Sequence, residues 1–250
     1  MTKTEHFLSE WGEGCYTGED ELLPIETANF RRLSFDPCFE KELGQFPLIR
    51  SLDSFAVVTG RLCSGKSMHV RALVEKYPFH YIQLPEAKDI NERGIRPGEK
   101  IWFGGEIIPL SSEGFDQALK ENDFWLAYEW RTGGREGRSG ILRRTLKRAV
   151  HDDRMKVVVA MPEVASYLRT LFPLLRCVPV VQSSIDDYRQ YADERGEDVQ
   201  AWFSQNETGA GEDEESKLPP LSMRLENNGS LCRQVRAIHK FLKTRLVRPY

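Results

Sequence analysis

From residue 54 onward, short apolar runs alternate with amphipathic segments. Three runs are continuous and rich in β-branched residues, a pattern typical of buried strands: SFAVVTG (54–60), KVVVAM (156–161) and CVPVVQ (177–182). Shorter strands are predicted at 79–84 and in LSMRLEN (221–227). Helical spacing predicts helices at 67–77, 139–150, 163–171, 183–196 and after the cap residue Ser230. This alternation predicts the α/β class, with a parallel sheet covered on both faces.

Residues 1–50 lack this regular pattern, and we predict that they form an N-terminal extension of unknown role. They begin polar and acidic, and they contain two short amphipathic pieces that can pack on a neighbouring surface, FRRLSF (30–35) and FEKELGQF (39–46). A second irregular stretch, GAGEDEESKLPP (209–220), is predicted to be a flexible acidic loop.

Composition and charge narrow the class of protein. The 250 residues include 35 Lys and Arg against 38 Asp and Glu, a net charge of -3 that excludes a chain-wide basic surface for nucleic acid but not a local patch. No apolar run reaches the roughly 18 residues of a membrane span, and the first residues lack the apolar core of a signal peptide. The five scattered cysteines form no CxxC pair, so we expect neither a zinc site nor a disulfide framework, and a cytoplasmic location.

The segment from Gly60 to Ser67 carries the clearest chemistry. It reads GRLCSGKS and fits G-x4-G-K-[ST], between a predicted strand and a predicted helix. In such a loop the backbone N–H groups and the helix N-terminus face phosphate groups. Lys66 would reach the β- and γ-phosphates as a catalytic residue, and the Ser67 hydroxyl would hold Mg²⁺. We therefore predict ATP and Mg²⁺ as cofactors, with these ATP-binding residues: Gly60, Ser64, Gly65, Lys66 and Ser67. The alternative is an ordinary glycine-containing turn with a helix-capping serine.

A second charged motif follows, Arg93-Gly-Ile-Arg96-Pro-Gly-Glu99. Paired guanidinium groups can bind an acceptor phosphate with two hydrogen bonds each and neutralise it against the incoming phosphoryl group. The alternative is a solvated charged loop.

Together these motifs resemble the guanylate-kinase family of P-loop kinases over residues 54–246. Arg93, Arg96 and Glu99 match the family's R-x-x-R-x-G-E motif, and SSEGFDQALKENDFWLAYEW (111–130) is similar to its acceptor lobe. The segment at 178–198 is similar to its strand and lid helix, with Arg195 at the final lid arginine, and LENNGSLCRQVRAIHKFL (225–242) resembles its C-terminal unit.

The resemblance implies a three-layer P-loop kinase core at 51–250, with an acceptor-binding lobe near 85–135 and a lid near 191–217. It implies that Arg93 and Arg96 are catalytic residues on the acceptor phosphate, beside Glu99. Arg195 would close the lid on ATP and the transferred phosphate.

Departures from the family pattern bear on the acceptor. Leu126 replaces the glutamate that helps to fix the GMP base, Ile107 or a neighbour replaces a GMP-binding tyrosine, and Tyr191 replaces a lid arginine. In the family a core strand ends with a pair of aspartates, and this chain has VVVAMPE (157–163) there, without that pair. The chain is nearer to the ribose 1,5-bisphosphate phosphokinase branch, through FWLAYEW (124–130) and ENNGSL (226–231). That branch makes phosphoribosyl diphosphate with ATP.

Other residues carry weaker signals. Basic residues cluster in 131–148, and Arg135 and Arg138, in a glycine-rich stretch predicted to be a loop, are candidates for acceptor binding. For the basic residues of the predicted helix we favour a solvated face. Glu163 can replace the missing acidic residue, or it can simply favour the helix dipole. Trp125, Tyr128 and Trp130 can stack on a ligand, but such spacing is more typical of core residues, and no role is assigned to the histidines.

The sequence therefore predicts an ATP-dependent phosphotransferase acting on a small phosphorylated acceptor, either ribose 1,5-bisphosphate or a nucleotide. One alternative is a phage-type kinase of a modified nucleotide or of hydroxymethylated bases in DNA, which would use the basic cluster at 131–148. The other is a non-catalytic guanylate-kinase-like module that binds a protein or phosphopeptide. The intact Gly65-Lys66-Ser67 argues against that module, whereas the missing acidic strand end and Tyr191 argue for it.

Overall fold

The computed structural model of the chain describes residues 30–35, 55–60, 64–90, 107–132, 135–171, 175–181 and 222–244. Its first half contains β1 (Phe30–Phe35), β2 (Phe55–Thr59), α1 (Lys66–Lys76), β3 (Tyr81–Gln83), β4 (Glu86–Asp89), β5 (Ile107–Leu110), α2 (Ser112–Lys120) and β6 (Phe124–Thr132). Its second half contains β7 (Arg135–Leu142), α3 (Arg143–Val150), β8 (Met155–Ala160), α4 (Pro162–Leu171), β9 (Arg176–Val181), β10 (Leu225–Glu226) and α5 (Leu231–Lys243).

One of the two sheets is fully parallel and forms the core. Its five strands lie in the order β10-β9-β2-β8-β3, so that β2 is central. In the middle of the sheet, Val57 pairs with Val158 of β8 on one side and with Cys177 of β9 on the other. The three continuous apolar runs of the sequence are these three adjacent strands, which confirms the predicted parallel sheet.

Helices cover both faces of the parallel sheet. Residues of α1 and α5 pack with Ala56 and Val58 on one face. Residues of α3 and α4 pack with Val57 and Val158 on the other. Because successive side chains of a strand point to opposite faces, β2 is buried from both sides, and the predicted three-layer arrangement is confirmed.

The second sheet lies in the region predicted for the acceptor lobe. Its order is β1-β6-β7-β4-β5, and its pairs are antiparallel except for β4 with β5. Helix α2 packs on one face of this sheet through Phe115 and Ala118, which meet Phe124 and Leu142. The sheet extends beyond the predicted limits of 85–135, because β7 continues to Leu142 and β1 comes from the N-terminal region.

Strand β1 gives part of the N-terminal extension a structural role that the sequence did not reveal. The amphipathic piece FRRLSF is this strand, and it pairs with β6 along the edge of the lobe sheet. The Phe35 ring lies 6.1 Å from the Trp125 ring of β6 and 5.7 Å from the Tyr167 ring of α4. Arg32 donates a hydrogen bond of 3.2 Å to the Tyr167 hydroxyl. The strand therefore contacts both the lobe and a core helix.

The helix predicted at 139–150 is wrong over its first turn. Residues 139–142 belong to β7, and α3 begins only at Arg143. All four residues are buried against β6, and a Cβ at Gly140 would lie 2.6 Å from the Leu126 carbonyl oxygen. In the glycine-rich stretch predicted to be a loop, residues 131–132 belong to β6 and residues 135–137 to β7, and Arg131 pairs with Glu136.

Two strands are shorter than the sequence predicted. The strand predicted at 79–84 covers only Tyr81–Gln83, and Phe79 is 89% exposed. LSMRLEN forms only the two-residue β10 and an isolated bridge from Ser222 to β9. Ser230 holds the N-cap position of α5, but its side chain makes no capping hydrogen bond. The helix predicted at 183–196, the acidic loop and the whole lid predicted near 191–217 lie outside the described residues. Among the helices that the structure describes, none is long and apolar enough to cross a membrane.

We expect the change Phe30→Ala to lower the free energy of unfolding by about 3 kcal/mol or more, because truncating a buried aromatic ring leaves a cavity. Phe30 is 3% exposed, and its ring lies 5.6 Å from the Tyr128 ring. Arg31→Ala is the matched control in the same strand, since Arg31 forms an exposed ion pair with Glu129 whose loss costs less than about 1 kcal/mol. Urea unfolding of both variants measures the difference, and equal effects would contradict the burial of β1.

Candidate functional site

The phosphate-binding loop predicted from sequence joins the central strand β2 to helix α1. The structure describes its two ends, with Gly60 directly after β2 and Gly65 at the N-cap of α1. Gly65 has a φ of +88°, which side chains rarely adopt, and a Cβ there would lie 2.7 Å from the Asn227 Nδ2 atom. The conformation and the close approach both require glycine, so the chain turns tightly just before Lys66.

The other glycine is also tightly packed. A Cβ at Gly60 would lie 2.4 Å from the Val180 carbonyl oxygen of β9 and 2.5 Å from the Ser64 Oγ atom. Ser64 itself is fully buried, and its hydroxyl has no hydrogen-bond partner among the described residues. The two described ends of the loop, Gly60 and Ser64, therefore lie close together at the carboxyl edge of the parallel sheet, where open α/β sheets bind their ligands.

The electrostatics at this edge favour an anion. Lys66 and Ser67 are the first two residues of α1, both are partly exposed, and the first turn of the helix contains no acidic residue. The unpaired N–H groups and the positive dipole end at a helix N-terminus attract phosphate. The two glycine contacts, which exclude side chains from the turn, fit a cradle for the phosphates of ATP, with the Ser67 hydroxyl available to Mg²⁺. The part of the chain that the structure describes contains no cluster of three or more His, Cys, Asp or Glu side chains that could hold a metal.

His69 of α1 and two residues nearer the C-terminus, Asn227 and Gln234, hold this turn in place. Asn227 donates from its side-chain amide to the Ser64 carbonyl oxygen at 3.1 Å. The ring Nδ1 of His69 lies 2.9 Å from the Gly65 carbonyl oxygen, and its Nε2 lies 2.7 Å from Oε1 of Gln234. Sequence reasoning missed these residues. The available signal is that His69 and Gln234 are polar residues directly beside apolar core positions of two amphipathic helices.

Arg138, a predicted acceptor-binding residue, is engaged within the lobe. Its Nη2 atom lies 2.6 Å from Asp89 Oδ2, it forms a second ion pair with Asp116, and its guanidinium lies 4.9 Å from the centre of the Phe115 ring. Burial alone would lower the pKa of Arg138, but the hydrogen bonds to Asp116 and Asp89 raise it above its ordinary value. The Arg138 guanidinium therefore pairs with two carboxylates and links β7, β4 and α2. Its role in acceptor binding stays a prediction.

A polar chain lies on the opposite face of the same sheet. The Tyr128 hydroxyl donates to Glu86, whose other carboxylate oxygen lies 3.2 Å from Lys88 Nζ. Burial raises the pKa of Tyr128 well above its ordinary value, and the adjacent Glu86 raises it further, so the phenol keeps its proton. Trp125 is 5% and Leu126 0% exposed, and both pack in the core cluster that also contains Tyr128. The expectation that Trp125 and Tyr128 are core residues is confirmed.

No protein-family model matches the chain, and no curated protein matches it by sequence. Among solved structures, the fold is similar to that of guanylate kinase from Anaplasma phagocytophilum, with 12% identity, a TM-score of 0.50, and coverage of 76% of this chain and 84% of the other. A sugar kinase from Janibacter sp. shares 11% identity at a TM-score of 0.39, with 75% and 93% of the two chains covered. A gluconokinase from Sinorhizobium meliloti shares 15% identity at a TM-score of 0.35, with 76% and 91% covered.

The chain has a fold similar to that of guanylate kinase. The likeness to guanylate kinase covers about three quarters of the chain, and it confirms the fold class predicted from the sequence. At 12% identity it extends to the fold and not to an activity or a substrate. The narrower resemblance to the ribose 1,5-bisphosphate phosphokinase branch stays a prediction.

Several predicted site residues lie outside the described part of the chain. These are Arg93, Arg96, Glu99 and Arg195, and for Arg135 only the backbone, at the start of β7, is described. Glu163 lies in the first turn of α4, directly after β8, which is adjacent to β2 at the edge that carries the loop. Its predicted role in place of the missing aspartate is not tested by this placement.

We expect Arg138→Met to lower the free energy of unfolding by about 3 kcal/mol, because it removes the cation that pairs with the Asp89 carboxylate, and that side chain is only 8% exposed. Asp116→Asn is the matched control, since the Asp116 side chain is 53% exposed and its ion pair contributes less than about 1 kcal/mol. Urea unfolding measures both changes. An Arg138→Met protein as stable as the wild type would show that the pairing with Asp89 does not stabilise the lobe.

Proposed function

We propose that the protein is an ATP-dependent phosphotransferase. The observation that carries this proposal is the geometry of the loop between β2 and α1, in which Gly60 and Gly65 occupy positions that exclude any side chain. A tight turn that ends at a helix N-terminus, with Lys66 as the first helical residue, is suited to binding phosphate groups. The P-loop kinase fold of the chain supports the same conclusion.

On the donor side, the loop amides and the Lys66 ammonium bind the phosphates of ATP and stabilise the charge of the phosphoryl group as it moves. Ser67 provides a hydroxyl ligand for Mg²⁺, and a bound Mg²⁺ would neutralise charge between the β- and γ-phosphates. The protein contributes position and electrostatic stabilisation, since phosphoryl transfer needs little covalent chemistry from the enzyme.

On the acceptor side, we propose a small molecule that already carries a phosphate, either ribose 1,5-bisphosphate or a nucleotide. Arg93 and Arg96 bind that phosphate, beside Glu99, and Arg195 closes over the donor. The sheet that contains β4–β7 is separate from the parallel sheet that carries the loop, and we propose that it provides the acceptor site. Arg138 already pairs with two carboxylates, so Arg93, Arg96 and Arg135 come before it as candidates to meet an anionic acceptor.

The basic residues of α3 favour a second candidate function. Arg144, Lys147 and Arg148 are exposed together on this helix. A row of exposed cations suits the backbone of a nucleic acid, as a kinase of hydroxymethylated bases in DNA would require. A solvated helix face accounts for the same exposure, so the small phosphorylated acceptor remains the first proposal.

We expect Lys66→Ala to reduce phosphoryl transfer at least a hundredfold with little change in stability, because it removes about 3 kcal/mol of transition-state stabilisation from a partly exposed residue. Lys76→Ala, in the last turn of the same helix, is the matched control and should keep wild-type turnover. Consumption of ATP at saturating MgATP, with circular dichroism as a check of folding, measures the effect. Turnover by Lys66→Ala at the wild-type rate would remove the loop from the mechanism.

We expect the enzyme to use ribose 1,5-bisphosphate or another phosphorylated acceptor and to reject GMP. Recognition of guanine requires hydrogen-bond partners for its amide edge, and Leu126, at the position of the family's glutamate, is apolar and packed in the core. Steady-state assays with ATP and GMP, ribose 1,5-bisphosphate or hydroxymethylpyrimidine DNA distinguish the candidates. A kcat/KM for GMP of about 10⁴ M⁻¹s⁻¹ or more would contradict this expectation.

Two variants check which substrate the arginine pair binds. Arg93→Ala and Arg96→Ala should each raise the KM for the acceptor or lower kcat by about tenfold, since a charge-assisted contact to phosphate contributes about 1.5–3 kcal/mol. The KM for ATP should stay unchanged. Activity on DNA alone would favour the second candidate, and tight ATP binding without turnover on any acceptor would favour the non-catalytic module.

A further inference from the structure

We propose that His69 and Gln234 are positioning residues that fix the orientation of the Gly65–Lys66 peptide in the phosphate-binding loop. This inference rests on the proposed function for its role in ATP binding, although the geometry stands without it. Both side chains are buried: His69 is 0% and Gln234 is 7% exposed. They lie 165 residues apart in the sequence and meet at 2.7 Å.

Two nitrogen atoms of His69 lie within hydrogen-bond distance of the Gly65 carbonyl oxygen. The backbone N–H of His69 donates to it at 3.1 Å, as the helix requires, and the ring Nδ1 of the same residue lies 2.9 Å away. Because the Gly65 carbonyl oxygen and the Gln234 Oε1 atom both only accept, the ring donates from Nδ1 to the first and from Nε2 to the second, with a proton on each nitrogen. The turn before Lys66 is therefore held by the side chain as well as by the backbone of α1.

The orientation of this carbonyl decides where the next N–H points. In a planar trans peptide the C=O and N–H groups point in opposite directions, so holding the Gly65 carbonyl toward the helix turns the Lys66 N–H away from it. The preceding peptide is held in the same way, since Asn227 donates to the Ser64 carbonyl oxygen at 3.1 Å. Two consecutive N–H groups, those of Gly65 and Lys66, are thereby presented on the side opposite to the bracing residues.

Gln234 completes the arrangement from the other helix. Its Nε2 atom donates to the Glu226 carbonyl oxygen at 2.7 Å, which leaves its Oε1 atom facing His69. Its neighbours Val235 and Ile238 on α5 lie in the apolar core, so a glutamine buried there needs these partners. Three contacts therefore connect β10 and α5 to the loop: Glu226 with Gln234, Gln234 with His69, and His69 with Gly65. We expect the loop to bind phosphate best when all three are present.

Binding of a fluorescent ATP analogue, mant-ATP, with Mg²⁺ tests the inference on the full-length protein. We expect His69→Leu and Gln234→Ala each to weaken binding about tenfold, and the double variant to be little worse than either single variant, because both act through one network. His69→Asn, whose amide can still donate to the Gly65 carbonyl, should recover most of the affinity. The exposed His80 provides the matched control, His80→Leu, which should bind as the wild type does.

A second measurement separates positioning from mere stability. Hydrogen exchange of the amides in 60–68 should accelerate about tenfold in His69→Leu and Gln234→Ala, while exchange of the amides in β6 and β7 and the KM for the acceptor stay near their wild-type values. Folded variants with wild-type affinity and unchanged loop exchange would overturn the inference. If the wild type itself does not bind mant-ATP, the proposed function fails, and the loop exchange alone then supports or overturns the positioning. Should His69→Leu not fold, Gln234→Ala and His69→Asn decide the result in the same way.

Discussion

The strand that carries the candidate site has neighbours on every side. Strand β2 is hydrogen-bonded to β8 along one edge and to β9 along the other, and helices cover both of its faces. No shift of register is open to such a strand, since a slip of one residue would exchange its two buried faces. The point where the chain leaves β2 at Thr59 is therefore fixed, and with it the position of the loop and of helix α1.

The parts of the fold that could be predicted from the sequence are those with a strong local signal. Continuous β-branched runs revealed β2, β8 and β9, because strands buried on both faces leave no room for polar residues. The motif from Gly60 to Ser67 revealed the loop, because tight backbone curvature next to a helix start demands glycine at fixed positions. In both cases the residues that determine the structure are adjacent in sequence.

The parts that could not be predicted depend on distant partners. The sequence predicted that Ser139–Leu142 begin a helix, whereas in the structure these residues pair with β6 as part of β7. Arg138 resembled a free cation because Asp89 and Asp116 lie 49 and 22 residues away. His69 and Gln234 adjoin apolar core positions, but the contact between them joins residues 165 positions apart in the sequence. Tertiary context decided each case.

The order of strands in the lobe has a consequence for how the protein folds. Arg31 of β1 and Glu129 of β6 face each other across 98 residues of intervening chain, whereas β6 and β7 are joined by a tight hairpin. Closing a long loop costs more chain entropy than closing a hairpin, so we expect the hairpin to form early and β1 to dock onto a nearly complete sheet. The same contacts are then the first to open, and native-state hydrogen exchange would detect this as a local unfolding unit that uncovers the edge of β6 while the parallel sheet stays closed.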